Sequence, residues 1–188
     1  MRIISGSFKG KKILEPKDIK TRPLKDLTKE SIFNILNHSN KFDIKLENSN
    51  ILDLFSGVGS FGIESLSRGA RGVVFIENYQ NVLSILKKNI ESLKLFEKSK
   101  ILEKDIYNFK TLSELNQKFE VIFLDPPYKD NKINKLLINL KESNVLNDDG
   151  IIILHRNKKD NLEFPEWVNI LEEKKYGISK IFFFNFKL

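Results

Sequence analysis

The stretch Ile51-Leu-Asp-Leu-Phe-Ser-Gly-Val-Gly-Ser-Phe-Gly62 decides the fold of this chain. Apolar residues that predict a strand are followed by the pattern Gly57-x-Gly59-x-x-Gly62, and a helical pattern then covers residues 60–68. Glycines at this spacing allow a sharp turn into the helix and a close approach of a ligand to the backbone. The order strand, glycine turn and helix predicts a ligand-binding turn, with a structural turn that binds nothing as the alternative.

The same rhythm continues on both sides of this turn. Apolar runs predict strands over residues 51–55, 73–76, 100–102, 121–124 and 151–154, and helical patterns lie between them at 60–68, 79–94, 111–117 and 131–142. Continuous apolar runs indicate strands that are buried on both faces, so we expect a parallel sheet flanked by helices. Two further runs after residue 167, broken at Tyr176-Gly177, predict a terminal antiparallel hairpin. The predicted class is a doubly wound α/β domain.

The N-terminal 40 residues form a separate pattern. Residues 2–14 alternate and predict a short hairpin with turns at Gly6 and Gly10. A helix follows, for which Asp26 or Thr28 is the candidate cap, and its apolar stripe is Ile32, Phe33, Ile35 and Leu36. We therefore divide the chain into an extension over 1–40 and a main domain over 41–188.

Composition excludes several classes of protein. The 188 residues include no Cys and two His, which argues against disulfides and zinc sites. Without a leader-like or long apolar segment, we expect a cytoplasmic protein with no membrane or metal partner. The formal net charge is +7, and residues 1–30 hold nine Lys or Arg against four Asp or Glu. This basic end fits a polyanion such as nucleic acid, although a generally Lys-rich composition explains it as well.

Acidic residues at the strand ends indicate what the glycine turn binds. Glu77 ends the second strand, where its carboxylate could accept from two ribose hydroxyls. NAD and S-adenosylmethionine both fit that description. Asp53 favours S-adenosylmethionine, because a carboxylate there would repel a pyrophosphate and attract an ammonium group. Asp105, after the third strand, is either an acceptor for the adenine amine or an ordinary helix cap.

The fourth strand ends in Asp125-Pro126-Pro127-Tyr128. The prolines stiffen this turn and leave a rigid acceptor pair, the Asp125 carboxylate and the Pro126 carbonyl. Tyr128 adds an aromatic face on which a base could stack. Two acceptors that bind both hydrogens of an exocyclic amine would direct its lone pair toward a methyl donor. The alternative interpretation is a strand-terminating turn with an exposed tyrosine.

These motifs together resemble the class I S-adenosylmethionine-dependent methyltransferases that act on exocyclic amines. Several further segments are similar to the bacterial 16S ribosomal RNA guanine-N2 methyltransferase D family, and they occur in matching order nearly end to end: Arg2-Ile-Ile-Ser-Gly6 with Gly10-Lys-Lys, Thr21-Arg22-Pro23, Lys29-Glu30-Ser31-x-Phe33-Asn34, Glu64-Ser-Leu-Ser-Arg-Gly-Ala70 and Lys175-Tyr176-Gly177.

The resemblance implies a seven-stranded sheet with an antiparallel last strand, and methylation of guanine N2 in 16S rRNA of the small ribosomal subunit. We expect a monomer. It implies a guanine site at Asp125, Pro126, Pro127 and Tyr128. The implied S-adenosylmethionine site comprises Asp53, Phe55, Ser56, Gly57, Gly59, Gly62, Glu77, Asn78, Asp105 and Ile106. The implied RNA contacts are Arg2, Lys9, Lys11, Lys12, Arg22 and Lys29.

The chain departs from the family pattern at three places. Leu24 stands where Thr is usual, Lys29 where Arg is usual, and His155-Arg156 where the fifth strand commonly ends in an acid. We interpret His155 and Arg156, like His38, as surface residues. Two other functions stay open: adenine-N6 methylation of DNA or RNA, and a non-catalytic rRNA-binding assembly factor.

Overall fold

Seven strands form one sheet within residues 1–16, 24–127 and 130–187, the parts of the chain that the computed structural model describes. The strands are β1 (Asn50–Leu54), β2 (Gly72–Ile76), β3 (Ser99–Leu102), β4 (Phe119–Leu124), β5 (Leu146–Asn157), β6 (Val168–Tyr176) and β7 (Ser179–Phe186). The α-helices are α1 (Asp26–His38), α2 (Ser60–Ser67), α3 (Gln80–Ser92), α4 (Phe109–Ser113) and α5 (Ile133–Glu142). A 3₁₀ turn, Phe96–Lys98, precedes β3.

The strand order is β3-β2-β1-β4-β5-β7-β6, and the pairs from β3 to β5 are parallel. β7 runs antiparallel to both β5 and β6. The predicted doubly wound sheet with a reversed C-terminal strand is therefore confirmed. The sequence order of the strands reverses between β1 and β4, and ligands of open α/β sheets bind outside the strand carboxyl ends at such a point.

Each face of the sheet carries its own apolar core. On one face, Phe61 of α2 stacks between Phe33 of α1 and Phe123 of β4, with centroid separations of 5.0 Å and 4.1 Å. The other face packs beneath α4 and α5. Ile3 and Ile13 of the N-terminal segment belong to the first core, so this segment is packed against the main body. The division of the chain at residue 40 stays a prediction.

The N-terminal segment is a hairpin with an antiparallel bridge between Arg2 and Lys12, and backbone hydrogen bonds join its arms, such as the one from the Ile3 N–H to the Lys11 carbonyl over 2.9 Å. It docks on α2 through backbone groups, because the N–H of Ser7 donates to the Ser67 carbonyl over 2.8 Å. Gly6 has a φ of +81°, and a Cβ there would lie 1.7 Å from the Ser67 oxygen, so only glycine allows this contact. Gly6, which the sequence indicated as a turn residue, is thus also required by the close packing of the hairpin on α2.

Two local predictions about helices were wrong. Asp26 is the first residue of α1 and Thr28 lies inside it, while Lys25 occupies the cap position without a side-chain cap. An acid in the first turn interacts favourably with the positive end of the helix dipole. An Asp near the start of a helix is therefore common whether or not it caps the helix. The helix expected over 111–117 is the shorter α4, capped by Asn108. None of the helices in the described ranges has the length and apolar character needed to cross a membrane.

Candidate active site

Acidic and glycine-rich segments meet at one edge of the sheet because β1, β2 and β4 are parallel. The glycine turn follows β1, Glu77 follows β2 and Asp125 follows β4. The backbone joins two of these segments directly, since the N–H of Asp125 donates to the Leu54 carbonyl over 3.4 Å. The topology therefore places the glycine turn beside the proline turn.

The three glycines of the turn have different physical roles. Gly59 has a φ of +86°, and a Cβ there would lie 2.5 Å from a methyl carbon of Leu86. A Cβ on Gly62 would lie 2.3 Å from the Phe75 ring. These two glycines let α2 and the turn pack tightly on the protein. Gly57 has a φ of +55° with no protein atom within 4 Å of its would-be Cβ, among the described residues. Gly57 therefore faces open space that a ligand can fill.

Glu77 organises the turn with both carboxylate oxygens. Its Oε2 accepts from the N–H of Gly57 over 2.8 Å, and its Oε1 accepts from the N–H groups of Asn78 and Tyr79, each over 2.9 Å. Oε1 thus accepts two bonds and Oε2 one, which leaves Oε2 a lone pair for a further donor. The predicted contact of Glu77 with ribose hydroxyls stays a prediction, and the structure adds that the side chain first fixes the glycine turn.

Asp53 lies beneath the turn with an exposed fraction of 1%. Its Oδ2 accepts from the N–H of Gly62 over 2.9 Å. Burial raises the pKa of Asp53 well above its usual range, and the neighbouring carboxylates of Asp125 and Glu77 raise it further, against the opposing effect of the Gly62 hydrogen bond. Direct contact with a ligand ammonium stays a prediction for this buried group.

The backbone between β1 and the turn is strained at Phe55, a non-glycine residue with a φ of +59°. Such conformations cost about 1–3 kcal/mol and cluster at functional sites. The Phe55 ring lies 5.8 Å from the Tyr107 ring and so lines the approach to the turn from the β3 side.

The remaining predicted ligand contacts lie on the loops around the turn. Ser56 is buried and its N–H donates to the Ile76 carbonyl over 3.3 Å, whereas Asn78 is exposed. Ile106 is buried in the second core. Asp105 is exposed, and its Oδ1 accepts from the N–H of Tyr107 over 2.9 Å. The alternative of an ordinary cap for Asp105 is wrong, because Asn108 caps α4. Its predicted contact with adenine stays a prediction.

Asn89 of α3 is a buried support of the turn that the sequence patterns did not indicate. Its Nδ2 donates to the Val58 carbonyl over 3.0 Å. The same side chain binds the N–H and the carbonyl of Leu14, over 2.8 Å and 3.2 Å. One amide therefore connects the glycine turn to the N-terminal segment. An Asn within an otherwise apolar helical stripe was the signal that could have found it.

The proline turn after β4 is held from behind by β5 and β7. The Asp125 Oδ1 lies 2.8 Å from His155 Nδ1, and His155 Nε2 lies 2.8 Å from the Ser179 hydroxyl. His155 and Arg156 are each 5% exposed. Their interpretation as surface residues is therefore wrong, while His38 is exposed as expected. A polar pair that ends a buried central strand contacts its neighbours across the sheet edge, and the residue types alone do not show this.

Arg156 clamps the backbone of the proline turn. Its guanidinium donates to the Pro127 carbonyl over 3.1 Å and to the Asp130 carbonyl over 3.0 Å, and it pairs with Asp160 over 2.9 Å. The two prolines have no N–H to donate, and the turn keeps a backbone bond from the Asp130 N–H to the Pro127 carbonyl over 2.9 Å. The Arg156 clamp adds side-chain donors to that bond. Pro126 is buried and Pro127 is exposed, and Tyr128 lies outside the described residues.

A tyrosine–aspartate pair closes the far side of the proline turn. The Tyr107 hydroxyl donates to Asp130 Oδ2. Burial raises the pKa of Tyr107, and the hydrogen bond to Asp130 raises it further. Tyr107 therefore stays protonated at neutral pH and acts as a donor.

The predicted RNA contact of Lys29 is wrong. Its side chain has no exposed surface, and its Nζ donates to the Arg2 carbonyl over 2.8 Å and lies 3.5 Å from Glu64 Oε2. Burial lowers the pKa of Lys29, although Glu64 and Asp26 oppose that change. Lys29 thus joins α1, α2 and the hairpin, and cannot meet a phosphate. Leu24 is also buried, in the first core.

The other predicted RNA contacts are basic residues of the hairpin. Arg2, Lys9, Lys11 and Lys12 are exposed. Lys11 lies over the Phe8 ring, 4.9 Å from its centroid. Arg22 lies outside the described residues. The described ranges contain no cluster of three or more His, Cys, Asp or Glu able to hold a metal ion.

The chain is similar to known proteins over nearly its whole length. A family model described as conserved hypothetical protein 95 matches residues 1–185. A Bacillus subtilis relative, provisionally named an rRNA methyltransferase, is 33% identical over 96% of each chain. The Haemophilus influenzae ribosomal RNA small subunit methyltransferase D is 34% identical, over 95% of this chain and 90% of the relative.

A solved structure from Haemophilus influenzae, provisionally described as a methylase, has the same fold. It is 32% identical to this chain, with a TM-score of 0.77, and the match covers 100% of this chain and 98% of that one. The similarity therefore extends over the N-terminal hairpin as well as the sheet.

Proposed function

This chain belongs to the family described as conserved hypothetical protein 95, the ribosomal RNA small subunit methyltransferase D family, and we propose from that premise that it methylates guanine N2 in 16S rRNA. The observation that carries the proposal is the junction of the two turns, where the Asp125 N–H donates to the Leu54 carbonyl over 3.4 Å. A donor site at the glycine turn and an acceptor site at the proline turn then lie side by side.

The residues of the glycine turn fit S-adenosylmethionine. Gly57 presents open space that a side chain would fill, and Glu77 lies beside it with a lone pair left on Oε2 for a hydroxyl donor. The carboxylates of Glu77 and Asp125 lie at this edge of the sheet, and their negative charge favours a cationic ligand over a pyrophosphate. When bound, S-adenosylmethionine supplies an electrophilic methyl group on a sulfonium.

The proline turn positions the amine that is methylated. The Asp125 carboxylate and the Pro126 carbonyl accept hydrogen bonds from the two N2 hydrogens of guanine, which directs the nitrogen lone pair to the donor site. Alignment and fixed dipoles supply most of the acceleration, so Asp125 acts as an acceptor and the proton leaves after methyl transfer. The base must be unpaired or extruded to enter.

The RNA is held by the exposed basic side chains of the hairpin: Arg2, Lys9, Lys11 and Lys12. Because the hairpin docks on α2 and contacts Asn89, it has a fixed position relative to the glycine turn. Phosphate contacts of this kind set register without reading sequence. We propose the small ribosomal subunit, assembled or assembling, as the natural substrate.

The test is methyl transfer from tritiated S-adenosylmethionine to small subunits that lack the modification, followed by nucleoside analysis. We expect label in N2-methylguanosine and its loss in Asp125→Ala. Asp149→Asn is the control, because Asp149 is exposed at the opposite end of β5. Label in N6-methyladenosine would replace the proposal by adenine methylation. Subunit binding without any label would replace it by an assembly role.

A further inference from the structure

His155 connects the acceptor carboxylate to the C-terminal strand. Its ring is buried between Asp125 at the end of β4 and Ser179 at the start of β7, with a distance of 2.8 Å on each side. The His155 side chain is 7% exposed and the Asp125 side chain 21% exposed. The histidine therefore lies behind the carboxylate, on its protein side.

The geometry constrains which oxygen of Asp125 can receive a substrate. Oδ1 faces His155 Nδ1, and within the described parts of the chain no hydrogen bond reaches Oδ2. A carboxylate accepts only, so the hydrogen in the Asp125–His155 contact must reside on Nδ1. The Ser179 hydroxyl can donate to a neutral Nε2 or accept from a protonated one, and it holds the ring plane in either case.

We propose that His155 is a positioning residue for the methyl-transfer reaction: its Nδ1–H binds Asp125 Oδ1, and Ser179 fixes the ring, so that Oδ2 is presented to the exocyclic amine. The proposal rests on the proposed function. It assigns the C-terminal hairpin a role at the site, because β7 supplies Ser179. A carboxylate free to rotate would lose the aligned acceptor, and misplacement by about 1 Å costs about 100-fold in rate.

The first test observes the histidine directly and needs no activity. The chain has two histidines, so in His38→Gln the imidazole ¹⁵N signals come from His155 alone. We expect a protonated Nδ1, in either the neutral or the doubly protonated ring. A ring protonated only at Nε2 would overturn the proposal, whatever the protein catalyses.

The second test compares two amide substitutions of equal polarity. Asn places its NH₂ group near the position of Nδ1 in the ring, and Gln places it near that of Nε2. His155→Asn therefore keeps a donor for Asp125, and His155→Gln keeps a partner for Ser179. We expect kcat to fall about 100-fold in His155→Gln and no more than about tenfold in His155→Asn. Calorimetric Kd values for S-adenosylhomocysteine should stay within about twofold in both variants.

The outcomes separate the two levels of inference. If both variants fold and have equal kcat values, the positioning role is refuted. An unfolded variant leaves the spectrum of the His38→Gln protein as the deciding measurement. A wild-type protein that binds no S-adenosylhomocysteine and labels no RNA would remove the proposed function, while the protonated nitrogen of His155 would still report the hydrogen bond.

Discussion

Replacement of Gly57 by Ala tests where the methyl donor binds. The new Cβ meets no described protein atom within 4 Å, so the cost to the protein is confined to the backbone φ of +55°. A left-handed conformation costs an alanine about 1–2 kcal/mol. For a chain of this size that energy lowers Tm by about 2–8 °C. Any further effect on ligand binding must then come from the space that the Cβ occupies.

Gly177 offers a matched control at the turn between β6 and β7. It has a φ of +56° and likewise no described atom within 4 Å of its would-be Cβ. Gly177→Ala therefore carries the same strain, and β6 and β7 lie at the far edge of the sheet from β2 and β3. We expect the two variants to lose similar thermal stability in the absence of ligand.

Calorimetric titration with S-adenosylhomocysteine separates them. We expect Gly57→Ala to raise Kd at least tenfold, or about 1.4 kcal/mol, and Gly177→Ala to leave Kd unchanged. Equal Kd values for the two variants and the wild type would show that the donor does not approach Gly57. The assignment of the glycine turn as its binding site would then be wrong.

Four other substitutions test groups around the two turns and on the hairpin. Asp53→Asn removes a buried titratable carboxyl group. Because the folded-state pKa of Asp53 is raised, its contribution to stability is present at low pH and is lost as pH rises through that pKa. The variant should therefore melt higher by a few degrees at pH 7, with a difference that vanishes in acid, and bind S-adenosylhomocysteine more weakly. Lys29→Met leaves the Arg2 carbonyl without its buried donor, while Glu64 keeps its pair with Arg68, and it should cost about 1–3 kcal/mol in urea unfolding, with an unchanged salt dependence of RNA binding. Lys12→Gln, at an exposed position, should leave the free energy of unfolding unchanged. It should reduce the slope of log K for RNA binding against log salt concentration by about one. Arg156→Met removes the clamp on Pro127 and should lower kcat at least tenfold with little change in the Kd for S-adenosylhomocysteine, whereas equal losses in both would indicate general unfolding.

The sequence by itself determined the class of the fold and the position of both turns. Parallel strands buried on two faces must be continuous apolar runs, so β1, β2 and β4 could be read from composition along the chain. The Gly57-x-Gly59-x-x-Gly62 pattern and the two prolines restrict the backbone locally, and local restriction is visible in local sequence.

Only the tertiary structure decided which polar side chains are buried and what they contact. Polar residue types of this kind are typical of protein surfaces, yet the structure buries Lys29, His155 and Arg156. Each of the three side chains binds a partner from a segment distant in the chain. Asp125 and His155 are 30 residues apart, and Lys29 and Glu64 are 35 apart. A buried charge or ring is tolerated when such partners satisfy it, and no local pattern encodes a partner that only folding brings within hydrogen-bond distance.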